Sequence, residues 1–225
     1  MAFLQDPTTP ANLMAVDASR KAARFSPQPV QATGHFSASA RSGLITLIAA
    51  GTATAGHLWA IRNGNSSITV VIQRIRAIWR TVAGFTAAQE IGMAVYRMTT
   101  YTANHTGGTL ISPSTPAYQR RTAFPSGSIT QGHRIATTTE LTAGTQVIDT
   151  QPLMIDGYAE LATAATVPKG SIVMERVYRP HEYPLVLAVD EGLLLRNEVA
   201  MTGGGTARVA VELDWFELAN ADYGV

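Results

Sequence analysis

The stretch "DEGLLLRNEVAMTGGGTARVAVELDWFEL", from Asp190 to Leu218, carries six carboxylates and two arginines beside three consecutive glycines. Its acids read as a candidate active site; its periodicity reads as sheet. In "ARVAVELDWFEL", Val209, Val211, Leu213 and Trp215 share one phase, while Arg208, Glu212 and Asp214 share the other. That period of two marks a half-buried strand whose charges point away from the core. Paired carboxylates cleave glycosides when held roughly 5–9 Å apart in a cleft. Yet Glu212 and Asp214 stand where an ordinary outward face would put them. Cross-strand partners such as Arg196 are expected for them, and the Gly/Thr run is expected to close a C-terminal hairpin.

Upstream, the same grammar repeats. From His35 onward, short apolar runs are separated by turn residues: "GLITLIAA", "GHLWAIRN", "EIGMAVYRMTTYT", "GTQVIDTQPLMI", "SIVMERVYR" and "PLVLAVDEGLLLRNEV". "SSITVVIQRIRAIWRTV" follows the turn signal "NGN". Ile68, Val70 and Ile72 lie in one phase and Ile75, Ala77 and Trp79 in the other, so a bulge or bend is predicted near Gln73. Ile91, Met93 and Val95 share one face of their run. The Gly-rich runs "HTGGT" and "MTGGGT" read as hairpin loops. A long connection, residues 104–128, exceeds the usual loop length and is expected to serve a function or an interface. Many short strands at regular spacing predict an all-β fold, an antiparallel β-sandwich of jelly-roll type spanning residues 36–225.

Residues 1–35 differ. Prolines at positions 7, 10, 27 and 29 block regular pairing, and the stretch between them suits one or two turns of weakly amphipathic helix with Asn12 as N-cap. "AAQEI" is the only other helical material. Phe3, Leu4, Leu13, Met14, Val16 and Phe25 make this segment too apolar for a solvated tail. It is read as an extended N-terminal arm whose apolar residues form an assembly interface on a neighbouring subunit.

No residue pattern assembles a catalytic, cofactor or metal site. His35, His57, His105, His133 and His181 show no HxH or HxxxH spacing, and there is no cysteine. There is no GxSxG elbow, and no Gly-rich run stands between a strand and a helix as a phosphate loop requires. An enzyme would need Glu198, Glu212, Asp214 or His181 to converge in a cleft. A carbohydrate- or receptor-binding module would expose Tyr96, Tyr101, Tyr118 and Phe124 on one concave face. Arg74 and Arg76 lie two apart, on one face of a strand, without a wider basic patch, so direct nucleic-acid contact is not expected. "NSS" at Asn65 and "NHT" at Asn104 match the glycosylation pattern by chance alone, because the N-terminal residues lack the basic and apolar regions of a secretory signal. No apolar run is long enough to cross a membrane.

The totals agree. Seventeen basic and 16 acidic residues leave a net charge of +1, and only 15% of residues are charged. That is below the roughly 25% common in soluble domains and favours a surface covered by partners.

The C-terminal order of "PLVLA", "EGLLLRN", a Gly/Thr turn and "VAVELDWFEL" resembles β-rich virion proteins encoded near the head genes of tailed bacteriophages. "VVIQRIRAIWRTVAGFTAAQEIGMAVYRMTTYTANHTGGT" and "TELTAGTQVIDTQPL" share that texture, so the resemblance covers roughly residues 40–220. It implies a non-enzymatic cement or decoration protein that binds the head shell and stabilises it through subunit contacts and its arm. The alternatives are a tail or head–tail component, or a receptor-binding virion module. The implied partners are the major capsid protein or other virion proteins, and further copies of the chain as a dimer or trimer. The implied location is the capsid surface of a virion assembled in the host cytoplasm, with no cofactor.

Overall fold

The computed structural model describes residues 4–5, 13–14, 16–17, 22–23, 34–46, 48, 51–111, 127, 129, 132–160, 170–179, 184–201 and 205–220. Its named elements are all strands. In the arm, β1 (Leu4–Gln5) pairs with β2 (Leu13–Met14) and β3 (Val16–Asp17) with β4 (Ala22–Ala23). The helix expected after Asn12 is therefore replaced by short extended pairs. A helix of one or two turns is too short to hold itself together in isolation. "AAQEI" likewise runs into a strand.

The body is two antiparallel sheets. The first sheet runs β5 (His35–Arg41), β16 (Thr206–Ala219), β7 (Ile68–Ala83), with β13 (Ser171–Val177) and β14 (Leu185–Leu187) sharing the free edge of β7. The second runs β6 (His57–Asn63), β15 (Glu191–Asn197), β8 (Gln89–Ala103), with β11 (Thr145–Ile148) and β12 (Met154–Glu160) sharing the free edge of β8. Counting each shared edge once, eight strand positions result. They stand in the order 1-8-3-6 in one sheet and 2-7-4-5 in the other. That is the double Greek key of a jelly roll, and the predicted sandwich is present.

This topology corrects three local readings. β15 and β16 do not form a hairpin: β15 pairs with β6 and β8, β16 with β5 and β7. Between β15 and β16 the chain passes from the second sheet to the first. "NGN" does the same between β6 and β7. "HTGGT" leads from β8 to β9 (Thr109–Leu110), which pairs with β10 (Arg134–Ile135), not with β8. The described residues of "GLITLIAA" form no strand either. Ile45 makes an isolated bridge to Ala207, and Ile45 and Ile48 are buried.

The bulge predicted near Gln73 is found there. Asp214 faces Arg74 and Trp215 faces Ile72, leaving Gln73 as the extra residue of β7. The phase change lets Ile68, Val70, Ile72, Ile75, Ala77 and Trp79 all reach the same core. Ile91, Met93 and Val95 enter it from β8, and Val209, Val211, Leu213 and Trp215 from β16. A second bulge, at Leu58, sends both Leu58 and Trp59 into this core and turns His57 away from it.

The long connection lies between the fourth and fifth jelly-roll positions. Within it, β9 pairs with β10, which follows that stretch, and the two extend the second sheet beyond β6. His133, just before β10, sits edge-on to Trp59 of one sheet and Trp215 of the other, with ring centroids 5.6 and 6.1 Å away. Phe36 stacks on Trp215 at 5.4 Å. The segment between β8 and β11 thus supplies an aromatic wedge between the sheets.

Candidate functional site: charged sheet face and buried histidine chain

Following the outward phase of the first sheet gives a regular grid. One row reads Glu175, Arg76, Glu212, Ser39 and the next Val177, Arg74, Asp214, Ser37. Arg74 reaches Glu175 at 2.6 Å, Glu212 at 2.9 Å and Asp214 at 3.8 Å; Arg76 reaches Glu212 at 3.4 Å. Ser37 donates its hydroxyl to Asp214 at 2.6 Å. The Arg74 guanidinium is held above its usual pKa, chiefly by its hydrogen bond to Glu175. The acids of β16 are therefore members of a cross-strand ion-pair network.

Their partners are not the expected one. Arg196 lies on the second sheet, where it pairs with Glu198 at 2.8 Å and stacks over the Tyr96 ring at 4.1 Å. Tyr96 donates to Glu198 at 3.0 Å. Glu198 and the Glu212–Asp214 pair thus sit on different sheets and do not converge. His181 lies outside the described residues. Replacing Arg74 with Ala is expected to lower unfolding free energy by about 2 kcal/mol at neutral pH, because the buried Asp214 loses a cation that it shares with two half-exposed acids. Urea denaturation at low and high salt measures it, with the smaller loss at high salt.

The inward phase of β16 hides a further acid. Glu217 is buried beside Trp215, whose indole N–H donates to it at 3.3 Å. At the opposite edge, Thr81 of β7 hydrogen-bonds the Tyr158 hydroxyl at 2.6 Å and donates to Glu160 at 3.2 Å, tying the first sheet to β12 of the second. Burial, then the bond to Glu160, pushes the Tyr158 hydroxyl up to about 12. These polar contacts between layers had no signature in the spacing of the sequence.

The second sheet carries a smaller apolar cluster on its outer side: Ala60, Met98, Tyr101, Leu141 and Leu194. Gly192 makes room for Tyr101. A Cβ there would stand 2.2 Å from the Ile61 carbonyl oxygen and 2.8 Å from the Tyr101 ring. Beside this cluster, histidines that are 48 residues apart touch. His57 Nε2 donates to the Thr52 carbonyl at 3.0 Å, and His105 Nε2 donates to His57 Nδ1 at 2.7 Å. Tyr101 donates its hydroxyl to His105 Nδ1 and accepts the His105 backbone N–H at 3.1 Å. The Thr52 carbonyl can only accept, so it sets the direction of the whole run, with both imidazoles neutral.

Burial works in the same sense. It lowers His57, with Arg196 adding to the effect, and it lowers His105 to about 3, with His57 adding to it. Tyr101 is raised to about 12 by burial. The pair is poorly suited to a metal. Two nitrogens bound to one tetrahedral zinc stand about 3.3 Å apart, whereas these share a proton at 2.7 Å. Among the described residues no group of three or more His, Cys, Asp and Glu side chains gathers to hold an ion. His133 is buried, lacks a hydrogen-bond partner at Nδ1, and is lowered to about 3 by burial alone.

Of the proposed glycan-binding aromatics, Tyr96 and Tyr101 are buried; Tyr118 and Phe124 lie outside the described residues. Of the arm residues, Leu4, Leu13, Met14 and Val16 fall in the short strands, and Phe3 and Phe25 lie outside the described residues. No helix among the described residues is long and apolar enough to cross a membrane.

No protein-family model and no curated protein matches the chain. Among solved structures, a chain from "Structure of infectious bursal disease virus Gx strain" aligns with 94% of this chain and 46% of its own length, at 14% identity and a TM-score of 0.12. This chain therefore spans just under half of that one, and an overlay so loose carries no argument about either.

Proposed function

We propose that the chain is a non-enzymatic structural protein of a tailed-phage virion, a cement or decoration subunit that binds the head shell and reinforces it. The observation that carries this reading is the jelly-roll order of the strands, an architecture used by viral capsid and lectin domains, combined with acids absorbed into ion pairs. A fold alone does not set function, so the surface decides between the uses of this one. Glu212 and Asp214 neutralise Arg74 and Arg76 instead of facing a cleft. Tyr96 and Tyr101 are buried rather than presented to a sugar. A low charge content and an apolar arm favour a subunit held by many modest contacts, where avidity supplies the strength.

In this reading residues 1–35 reach a neighbour, the sandwich faces outward, and copies of the chain associate about a symmetry axis. Removal of residues 1–33, which leaves β5 intact, is expected to abolish incorporation into particles and to lower particle heat stability. Quantitative gel analysis of particles assembled with the shortened chain measures both. Unchanged incorporation and unchanged particle stability would remove the role given to the arm.

A further inference from the structure

The outer grid of the first sheet is neutralised in only half of its rows. Beyond the two rows described above come Val173, Ile78, Ala210, Arg41, and then Ser171, Arg80, Arg208. These last two rows hold three arginines and no carboxylate. Arg80 and Arg208 are directly opposite each other on β7 and β16, an arrangement that repels. Arg41 is one row away on the strand flanking β16, the diagonal position from Arg208. Among the described residues none of the three makes an ion pair, while the arginines of the neighbouring rows all do.

The same corner gathers exposed aliphatic side chains. Val173 lies beside Ile78 at 50% exposure. Val82 is the extra residue of a bulge where Thr206 faces Ala83 and Ala207 faces Thr81, and it is 45% exposed. Leu44, 38% exposed, lies between Ser42, bonded to Val209, and Ile45, bridged to Ala207. Arginines among partly exposed aliphatics, beside rows whose charges are paired off, form the composition of a protein-binding patch.

We propose that this corner, Arg41, Arg80 and Arg208 rimmed by Leu44, Val82 and Val173, is a docking surface for an acidic segment of a protein partner. Two or three carboxylates enter between the guanidinium groups and relieve the repulsion between Arg80 and Arg208, while aliphatic groups cover the rim. Charge complementarity selects the partner. A nucleic acid fits poorly, for two reasons. A phosphate backbone that followed the strands would run onto Glu175, Glu212 and Asp214 within two rows. Among the described residues the patch also offers no aromatic ring for base stacking. The inference stands whether or not the chain belongs to a virion.

The test uses the full-length chain with poly-L-glutamate and single-stranded poly(U) as probes, at low and physiological salt. Wild type is expected to bind poly-L-glutamate more tightly than poly(U), with affinity falling as salt rises. The Arg80→Gln/Arg208→Gln variant is expected to lose at least about tenfold in that affinity, a difference near 1.4 kcal/mol. Its thermal midpoint at low salt should match or exceed that of wild type, since a like-charge pair is gone. The inference is overturned by any of four results: no binding by wild type, unchanged affinity in the variant, a lowered midpoint, or preference for poly(U).

Discussion

Acidification from pH 6.5 to 4.5 is expected to remove about 5 kcal/mol of stability through two histidines, as much as the whole margin of many domains. The sign follows from where the protons bind. His105 and His133 are each lowered to about 3 in the folded chain, whereas an unfolded histidine titrates near 6.5. Between those values the unfolded chain takes up protons that the folded chain refuses. Stability is therefore fully present above pH 6.5 and is lost as pH falls toward 3. Each histidine contributes about 1.4 kcal/mol per pH unit in that window. His57, lowered in the same direction, adds to the loss. Urea denaturation at half-unit steps of pH gives the slope directly.

His133→Phe separates the histidines from ordinary carboxylate titration. The ring fills a similar space between Trp59 and Trp215 and brings no buried Nδ1 in need of a partner. The variant should be at least as stable as wild type at pH 7.5, and its slope below pH 6.5 should fall by about 1.4 kcal/mol per pH unit. A slope identical to wild type would mean that His133 is protonated in the fold or reaches water.

The second large effect contrasts two positions on one strand. Trp215→Ala is expected to cost about 3–5 kcal/mol, the range for deleting a large buried aromatic. Its indole is fully buried, stacks on Phe36, and meets His133 from the second sheet. Glu212→Gln, three residues earlier and on the outward phase, is expected to cost under about 1 kcal/mol. Its carboxylate is a third exposed, and Arg74 keeps Glu175 and Asp214 as partners. Midpoints and slopes of urea denaturation for both variants give the comparison. Equal losses would mean that the outward acids hold the fold as strongly as the core does.

The contrast also marks how far the sequence could be read. The alternation in "ARVAVELDWFEL" and the phase break at Gln73 depend on local periodicity, so β16, β7 and their bulge were legible residue by residue. The partners of those strands were not. "NGN" and "HTGGT" fall between strands as expected, but "HTGGT" and "MTGGGT" do not close hairpins, because in a double Greek key the chain often changes sheet between successive strands. Sequence neighbours such as β15 and β16 are then separated in space, and Arg196 cannot reach Glu212. The contact between His57 and His105 was illegible for the same reason. It arises from a bulge at Leu58 and a loop 48 residues away, and no spacing rule encodes it. Arg80 and Arg208 became a pair only when register put them opposite each other.

The reading of this chain as a virion subunit is tested most directly by its copy number in purified particles. Quantitative mass spectrometry of particles containing the chain is expected to find it in a fixed whole-number ratio to the major shell protein, retained through washing at moderate salt. Absence from the particles, or a few copies in a ratio that varies between preparations, would contradict that reading.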